Sequence, residues 1–143
     1  MRNYCLILFL LTSTLLFAQH PVKWNFRVQP TNAETQLKFS AAIEKGWHIY
    51  SQNTADGGPL PMLFTFDTAT CYTLSGKAME PAPVEEFDSI FGVKVLYFLD
   101  KPEITQKVVV KSTPCKITGR IDYQACKDMC IPLDTTFSFT IPK

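Results

Sequence analysis

Two cysteines near the end of the chain are the residues best suited to chemistry. Cys126 and Cys130 are separated by Lys127-Asp128-Met129 and lie between two segments in which apolar and polar residues alternate. If one strand ends at Cys126 and the next begins at Cys130, the two residues face each other across an antiparallel pair, with Cα atoms about 4.5–5.5 Å apart. That separation suits a disulfide. The turn has no glycine, so Asp128 is the residue expected to adopt a left-handed conformation.

A disulfide in this hairpin could be either a structural staple or a redox couple. A five-residue ring contributes roughly 2 kcal/mol to stability, against roughly 4 kcal/mol for the larger ring that Cys71 and Cys115 would close. The short ring stabilises little, yet its two thiols stay adjacent when reduced. Alternation also places Cys126 on the polar face of its strand with Asp122 and Gln124, where a partner could reach it. Spacing alone leaves both roles open.

A copper(I) site is a further alternative for the same residues. The sulfur atoms of Cys126, Met129 and Cys130, joined by His48, are soft ligands of the kind that cuprous ion prefers. A methionine in a loop is more often a plain apolar residue, so we predict no metal and no other cofactor. The sequence also has no Cys-x-x-Cys motif, and no alternating strand and helix pattern of the thioredoxin type.

The rest of the chain predicts the strands that would position these cysteines. Apolar and polar residues alternate with a period of two, which is typical of strands that have one face on a core and one in water. No segment has the apolar stripe of an amphipathic helix, and prolines and glycines separate the runs. We predict a single all-β domain, an immunoglobulin-like β-sandwich of about seven to nine strands. The candidate strands are residues 22–29, 37–44, 47–50, 62–67, 93–99, 107–111, 116–125 and 137–141.

One stretch does not fit a strand. Residues 80–92 are rich in proline, then acidic, then aromatic. We predict an irregular loop there, and loops of this length are often functional.

The N-terminus predicts export. Arg2 precedes an apolar run over residues 5–17, and Ala18 offers a small residue for cleavage. The run is too short to span a bilayer, which takes about 20 residues. We therefore interpret residues 1–18 as a cleaved signal peptide and residues 19–143 as one periplasmic domain, with no membrane insertion after cleavage.

The net charge of the mature chain and its cysteines limit the classes of function that the domain could have. Removing Arg2 from the 14 basic residues leaves 13, which balance 13 acidic residues. The mature chain therefore lacks the basic patch that nucleic acid or anionic lipid would require. Export permits stable disulfides, and Cys71 and Cys115 are either a structural bridge or two buried thiols.

The residues around the cysteine pair resemble a known family. Residues 119–126 read Gly-Arg-Ile-Asp-Tyr-Gln-Ala-Cys, and Cys-Ile-Pro follows at Cys130. This resembles the Tyr-Gln-x-Cys and Cys-x-Pro block of the N-terminal periplasmic domain of the thiol:disulfide interchange protein DsbD. Residues 45–50 resemble the family's Gly-aromatic-x-aliphatic-Tyr strand, and residues 88–92 resemble its cap loop. The resemblance covers nearly the whole mature chain and implies an immunoglobulin-like fold.

The resemblance implies thiol–disulfide exchange at Cys126 and Cys130. The family passes electrons from a membrane-embedded relay and a thioredoxin-like domain to periplasmic acceptors such as disulfide isomerases and cytochrome c maturation proteins. Neither of those donor domains follows residue 143, so we expect a membrane relay on another polypeptide and thioredoxin-like periplasmic partners. The implied activity is that of a protein-disulfide reductase component. The second cysteine, Cys130, is expected to bond to partners while Cys126 resolves the intermediate.

The resemblance also assigns a cap to the cysteine pair. It implies that Ile90 and Phe91 cover the disulfide, and the alternative is that both are ordinary core residues. Two features depart from the family pattern: the cysteine spacer is only three residues long, and Ile90 stands where an aromatic residue is expected.

Polar residues from two segments are candidates for tuning the thiols. His48 and Tyr50 share the strand face opposite Trp47, and the resemblance points that face at the cysteines, where it could tune thiolate formation. The alternative for His48 is a surface histidine without a role. The charges of Asp88, Glu85 and Glu86 would raise a nearby thiol's pKa, or only solvate a loop.

Two other function classes compete with exchange. One is a non-catalytic binding module with a structural hairpin disulfide, and the other is a periplasmic copper(I) carrier. A binding module predicts an inert bridge, whereas a carrier predicts bound metal.

Overall fold

The computed structural model describes residues 20–31 and 34–143. In this part of the chain ten strands and no helix form two sheets. This confirms the predicted all-β immunoglobulin-like sandwich, although the number of strands exceeds the seven to nine predicted. The strands are β1 Val22–Pro30, β2 Thr35–Ile43, β3 His48–Tyr50, β4 Leu63–Phe66, β5 Tyr72–Met79, β6 Val84–Asp88, β7 Val93–Phe98, β8 Glu103–Val110, β9 Cys115–Cys126 and β10 Cys130–Ile141. The predicted signal peptide, residues 1–18, lies outside the described residues. Within those residues there is no helix long and apolar enough to cross a membrane.

The two sheets differ in their strands, and the cysteine hairpin of β9 and β10 lies in the second sheet. The first has the order β1-β2-β8-β5, and the second has the order β10-β9-β3-β7-β6, with β4 also paired to β9. All of these pairs are antiparallel. Strand β9 is bordered by β10 on one edge, and by β4 and then β3 on the other. The strand that ends in Cys126 is therefore interior to its sheet.

Aromatic packing between the sheets forms the centre of the core. Phe39 on β2 is fully buried, and its ring makes an edge contact with Phe26 of the neighbouring strand β1 at a centroid distance of 5.8 Å. It makes four further edge contacts, with Phe64, Phe66, Phe137 and Phe139 of the other sheet, at centroid distances of 5.0–6.2 Å. Such pairs contribute about 0.5–1.5 kcal/mol each beyond their buried area. Since these rings come from β1, β2, β4 and β10, they hold both sheets and the β4 segment together.

The structure contains two strands, β5 and β6, that the sequence did not predict. Residues 80–92 are not wholly irregular, because β6 pairs with β7 from Val84 to Asp88. Nearly all of β6 is exposed on both faces, so it shows no apolar alternation. Strand β5 was not predicted from the sequence, because its register with β8 shifts between Ser75 and Met79. This shift interrupts the two-residue alternation of apolar and polar side chains.

Gly119 allows the strands around β9 to approach closely. It pairs with Phe66 of β4 on one edge and with Phe137 of β10 on the other. A Cβ atom at this position would overlap the carbonyl oxygen of Thr65 and the ring of Phe137. Because one of these atoms belongs to the backbone, the strands themselves would have to move.

We therefore predict that Gly119→Ala destabilises the domain. Overpacking of this kind costs about 1–3 kcal/mol, and urea denaturation measures it. Thr136→Ala is the matched control, because Thr136 is exposed on the neighbouring strand and surface changes stay within about 0.5 kcal/mol. Equal midpoints for the two variants would contradict the close packing at Gly119.

Candidate functional site

The two cysteines form the predicted hairpin. Strand β9 ends at Cys126, β10 begins at Cys130, and the two residues are partners in the register. They are joined by a disulfide, and their Cα atoms are 4.1 Å apart, closer than the sequence-based expectation. The N–H of Lys127 donates to the carbonyl of Met129 at 3.1 Å and closes the turn.

The predicted left-handed conformation of Asp128 is wrong. Asp100, with a φ of 58°, is the residue other than glycine that adopts positive φ in residues 20–31 and 34–143. The hydrogen bond from the N–H of Lys127 to the carbonyl of Met129 leaves Asp128 as the single residue at the tip of the turn. The turn therefore closes without a residue in the left-handed conformation.

The two sulfur-bearing residues differ sharply in exposure. Cys126 is only 2% exposed, whereas Cys130 is exposed. The prediction that a partner could reach Cys126 is therefore wrong. It does lie on the face of β9 away from the main core, but a second small cluster covers it there: Tyr50, Val95, Val93 and Tyr97. A protein partner approaching from solvent meets Cys130 first.

Strand β3 brings His48 beside the pair. His48 is the register partner of Cys126, and Ile49 is the partner of Ala125. Residues paired in this way have side chains on the same face with Cβ atoms about 4.5–5.5 Å apart. Ile49 is fully buried in the main core, while Tyr50 joins the cluster around Cys126. His48 thus lies opposite Cys126 in the register, and Tyr50 lies in the cluster that covers Cys126; an influence of either residue on the thiols stays a prediction.

Contacts among the aromatic side chains hold His48 in place. Its Nε2 lies 3.1 Å from the hydroxyl oxygen of Tyr50, and its ring centroid lies 4.9 Å from that of Tyr97. Burial lowers the pKa of His48 below its usual value, although the charge of Glu86 opposes this. The imidazole is therefore mainly neutral at pH 7. Burial, with a further contribution from Asp88, raises the pKa of Tyr50 and keeps its phenol protonated.

The three acidic residues named from the sequence have separate contacts. The Asp88 carboxylate accepts hydrogen bonds from the N–H groups of Ile90 and Phe91, at 2.8 and 3.1 Å. Glu86 accepts from the Tyr97 hydroxyl at 2.9 Å, and Glu85 forms an exposed ion pair with Lys94. Asp88 thus builds the turn between β6 and β7. An influence of these charges on a thiol stays a prediction.

The predicted cap is only partly consistent with the structure. Ile90 is 88% exposed, so the prediction that it covers the disulfide is wrong, because the turn fixed by Asp88 carries it into solvent. Phe91 is 47% exposed, which also excludes a core role, and a capping role for Phe91 stays a prediction. Tyr50 and Val95, which contact Cys126, also line a cavity of about 330 Å³ beneath this turn, together with Glu86, Asp88 and Tyr97.

The turn between the cysteines rests on the segment before β3. Gly46 has a φ of 85°, and a Cβ built there would lie 3.3 Å from Cε of Lys127. Trp47, which is buried, lines a groove with Lys127, Asp128 and Met129. Gly46 and Trp47, which belong to the segment that resembles the family's strand, thus support the turn between the two cysteines.

The residues weighed for copper form no such site in the structure. Met129 is 68% exposed, and the sulfurs of Cys126 and Cys130 are bonded to each other. Among the described residues, no three His, Cys, Asp or Glu side chains are grouped to hold a metal ion.

A second disulfide lies at the other end of β9. Cys71 and Cys115 are joined by a disulfide, with Cα atoms 5.6 Å apart and a sequence separation of 44. This favours the structural bridge over two free thiols. Cys115 begins β9 and Cys126 ends it, so the two disulfides are separated by the length of the strand, about 36 Å at the usual rise.

Sequence reasoning missed the covering residues Val95 and Tyr97. Both lie on a strand that was predicted correctly, but their role depends on β7 pairing with β3, where Tyr97 is the partner of Tyr50. The alternation of Val93, Val95 and Tyr97 on one face was the available signal.

Family comparison agrees with this geometry. The model of the family "Thiol:disulfide interchange protein DsbD, N-terminal" matches residues 17–142. The chain belongs to this family. Membership in the DsbD N-terminal family, together with the disulfide-bonded cysteines, indicates thiol–disulfide exchange. No curated protein matches the chain at a significant level.

Solved structures share the fold of this DsbD N-terminal domain. The N-terminal domain of DsbD from Neisseria meningitidis in the reduced form is 16% identical, with a TM-score of 0.55, 84% of this chain covered and 86% of that one. The N-terminal periplasmic domain of ScsB from Proteus mirabilis is 13% identical, with a TM-score of 0.62 and coverages of 84% and 46%. A complex of the DsbD and PilB N-terminal domains from Neisseria meningitidis matches at 16% identity, with a TM-score of 0.55 and coverages of 87% and 86%.

The two disulfides should contribute unequally to stability. We predict that Cys71→Ala/Cys115→Ala lowers the free energy of unfolding by about 4 kcal/mol and Cys126→Ala/Cys130→Ala by about 2 kcal/mol or less, because the larger ring restricts the unfolded chain more. Denaturant titration of both double variants measures this. A larger loss for the hairpin pair would mean that the short bridge is the main staple.

Proposed function

We propose that this chain is a periplasmic thiol–disulfide exchange domain that relays electrons through Cys126 and Cys130. The observation that carries the proposal is the unequal exposure of the pair: Cys130 is exposed, and Cys126 is 2% exposed. Disulfide exchange passes through a mixed disulfide, which needs one accessible sulfur and one that is kept beside it. A structural staple needs no such asymmetry.

The exchange reaction follows from these positions. With the pair reduced, the Cys130 thiolate attacks a disulfide of the acceptor, and one acceptor thiolate leaves and takes up a proton. Cys126 then attacks the Cys130 sulfur, which closes the Cys126–Cys130 bond and releases the second acceptor thiol. Two electrons move from the domain to the acceptor. A dithiol reductant must later reverse these steps to restore the reduced pair.

The partners follow from the family and its structural neighbours. The reduced form of the Neisseria domain supports a pair that changes redox state, and the complex with PilB supports a protein partner. We infer thioredoxin-like periplasmic partners, with disulfide isomerases and cytochrome c maturation proteins among the acceptors and a membrane relay on another polypeptide as the donor. The apolar N-terminal run and the periplasmic ScsB domain support export by a cleaved signal peptide.

The proposal predicts that the Cys126–Cys130 bond is labile in the folded protein. It should equilibrate with glutathione, at a potential above the level of about −300 mV below which structural bridges lie. Titration against glutathione buffers, with thiol trapping and mass spectrometry, measures the reduced fraction of each pair. Cys71–Cys115 is the internal control and should stay oxidised, because Cys115 is 1% exposed.

Two results would overturn the proposal. If Cys126–Cys130 resists reduction until the fold is denatured, the chain is a binding module with a structural bridge. If the purified reduced protein instead holds one copper ion per chain, the carrier function moves ahead.

A further inference from the structure

The sulfur of Cys126 is buried, yet this thiol must lose its proton in order to attack the mixed disulfide. Cys126 attacks as a thiolate, and its surroundings are Tyr50, Val95, Val93 and Tyr97. Apolar surroundings disfavour a charged thiolate. The proton of Cys126 therefore needs a nearby acceptor at the moment of attack.

His48 is placed to be that acceptor. It is the register partner of Cys126, and such partners present their side chains to the same face at cross-strand contact distance. It is also only half-buried, so it can exchange protons with solvent as well as with the sulfur. Resting on the exchange function proposed above, we propose that His48 takes the proton of Cys126 as this thiol resolves the mixed disulfide, and returns it in the reverse reaction.

The contact with Tyr50 suits both charge states of the imidazole. In the tautomer with a proton on Nε2, Nε2–H donates to the Tyr50 hydroxyl oxygen 3.1 Å away, and Nδ1 of the neutral ring keeps its lone pair for the proton of Cys126. When Nδ1 takes up that proton, the bond from Nε2–H to Tyr50 is unchanged, so the contact serves both charge states. Tyr50 thus positions the ring without fixing its protonation state.

The charged and titratable groups around His48 also fit this role. Glu86 and Asp88 of β6 and Tyr97 of β7 share its cavity with Tyr50, and Cys126 faces it from β9. Burial lowers the pKa of His48, whereas the negative charge of Glu86 raises it. The balance leaves a neutral base at pH 7, and Glu86 would stabilise the imidazolium once the proton arrives.

The proton and electron balance is complete. The S–H bond of Cys126 breaks and an N–H bond forms on His48. The Cys126 sulfur bonds to the Cys130 sulfur, and the bond from Cys130 to the partner's sulfur breaks. The partner's thiolate leaves with the electron pair and is protonated by His48 or by water. The domain is oxidised and the partner's disulfide is reduced.

The test uses the reduced protein and 5,5′-dithiobis(2-nitrobenzoate) as a small disulfide substrate. Attack by Cys130 releases the first thionitrobenzoate, and resolution by Cys126 releases the second. In His48→Gln we expect the first phase to stay within about twofold and the second to slow about 100-fold near pH 7, the lower end for general acid–base catalysis. His20→Gln is the matched control, because His20 is exposed and lies outside the strands.

The pH profile separates a proton acceptor from a structural residue. In the natural protein the second phase should hold its rate to below about pH 6.5, the ordinary histidine pKa, because burial lowers the pKa of His48, and should fall only when His48 becomes protonated at lower pH. In His48→Gln it should instead rise about tenfold per pH unit, following the thiol alone. Tyr50→Phe keeps the ring but loses the hydroxyl, and should slow the second phase about two- to tenfold.

The outcomes distinguish this inference from the function on which it rests. If the natural protein shows both phases and His48→Gln keeps the same rate and pH profile, the role of His48 is wrong and exchange stands. If the natural protein releases a single thionitrobenzoate and never closes its disulfide, the exchange function fails as well.

Discussion

The pairing of β3 with β9 is the contact on which the site depends. Strand β3 spans only His48–Tyr50, yet it pairs with β9 on one edge and with β7 on the other. Through the first pairing it places His48 opposite Cys126, and through the second it places Tyr50 opposite Tyr97. The cover over the buried cysteine is therefore assembled from three strands that meet in this short segment. If β3 shifted by one residue, its alternate face would turn to the cysteines.

A polar network fixes the end of this short strand. Ser51 follows β3 and is fully buried, and its hydroxyl donates to the Glu80 carboxylate at 2.6 Å. The same carboxylate accepts from the N–H of Gln52 and from the side-chain amide of Asn53, both at 2.9 Å. The Ser51 N–H also donates to the carbonyl of Leu96 on β7. Because Ser51 is fully buried, leaving its hydroxyl without a partner costs about 1–3 kcal/mol. These bonds therefore keep β3 in register, although three residues of pairing alone would hold it weakly.

The parts of the fold that alternate strictly could be predicted from the sequence, and the parts set by tertiary contact could not. Strand β9 alternates from Cys115 to Ala125, so its face assignment and the cysteine hairpin followed from the period of two. The exposure of Cys126 did not follow, because alternation says only that it faces away from the main core, and side chains from β3 and β7 then cover it. Strand β6 could not be predicted for the opposite reason. It is an edge strand with both faces exposed to water, so its sequence shows no alternation of apolar and polar residues. The placement of Ile90 depended on hydrogen bonds that a single carboxylate, Asp88, accepts from the N–H groups of Ile90 and Phe91, and composition does not reveal these bonds.

The central claim is that burial divides the work of the two sulfurs, and trapping of mixed disulfides tests it most directly. Cys126→Ser leaves the exposed Cys130 without its resolving partner, so this variant should accumulate a mixed disulfide with a thioredoxin-like periplasmic protein. Cys130→Ser leaves only the covered sulfur and should trap little. Non-reducing gels of periplasmic extract from each variant, with the trapped band identified by mass spectrometry, give the comparison. Equal trapping by both variants, or stronger trapping through Cys126, would contradict the account.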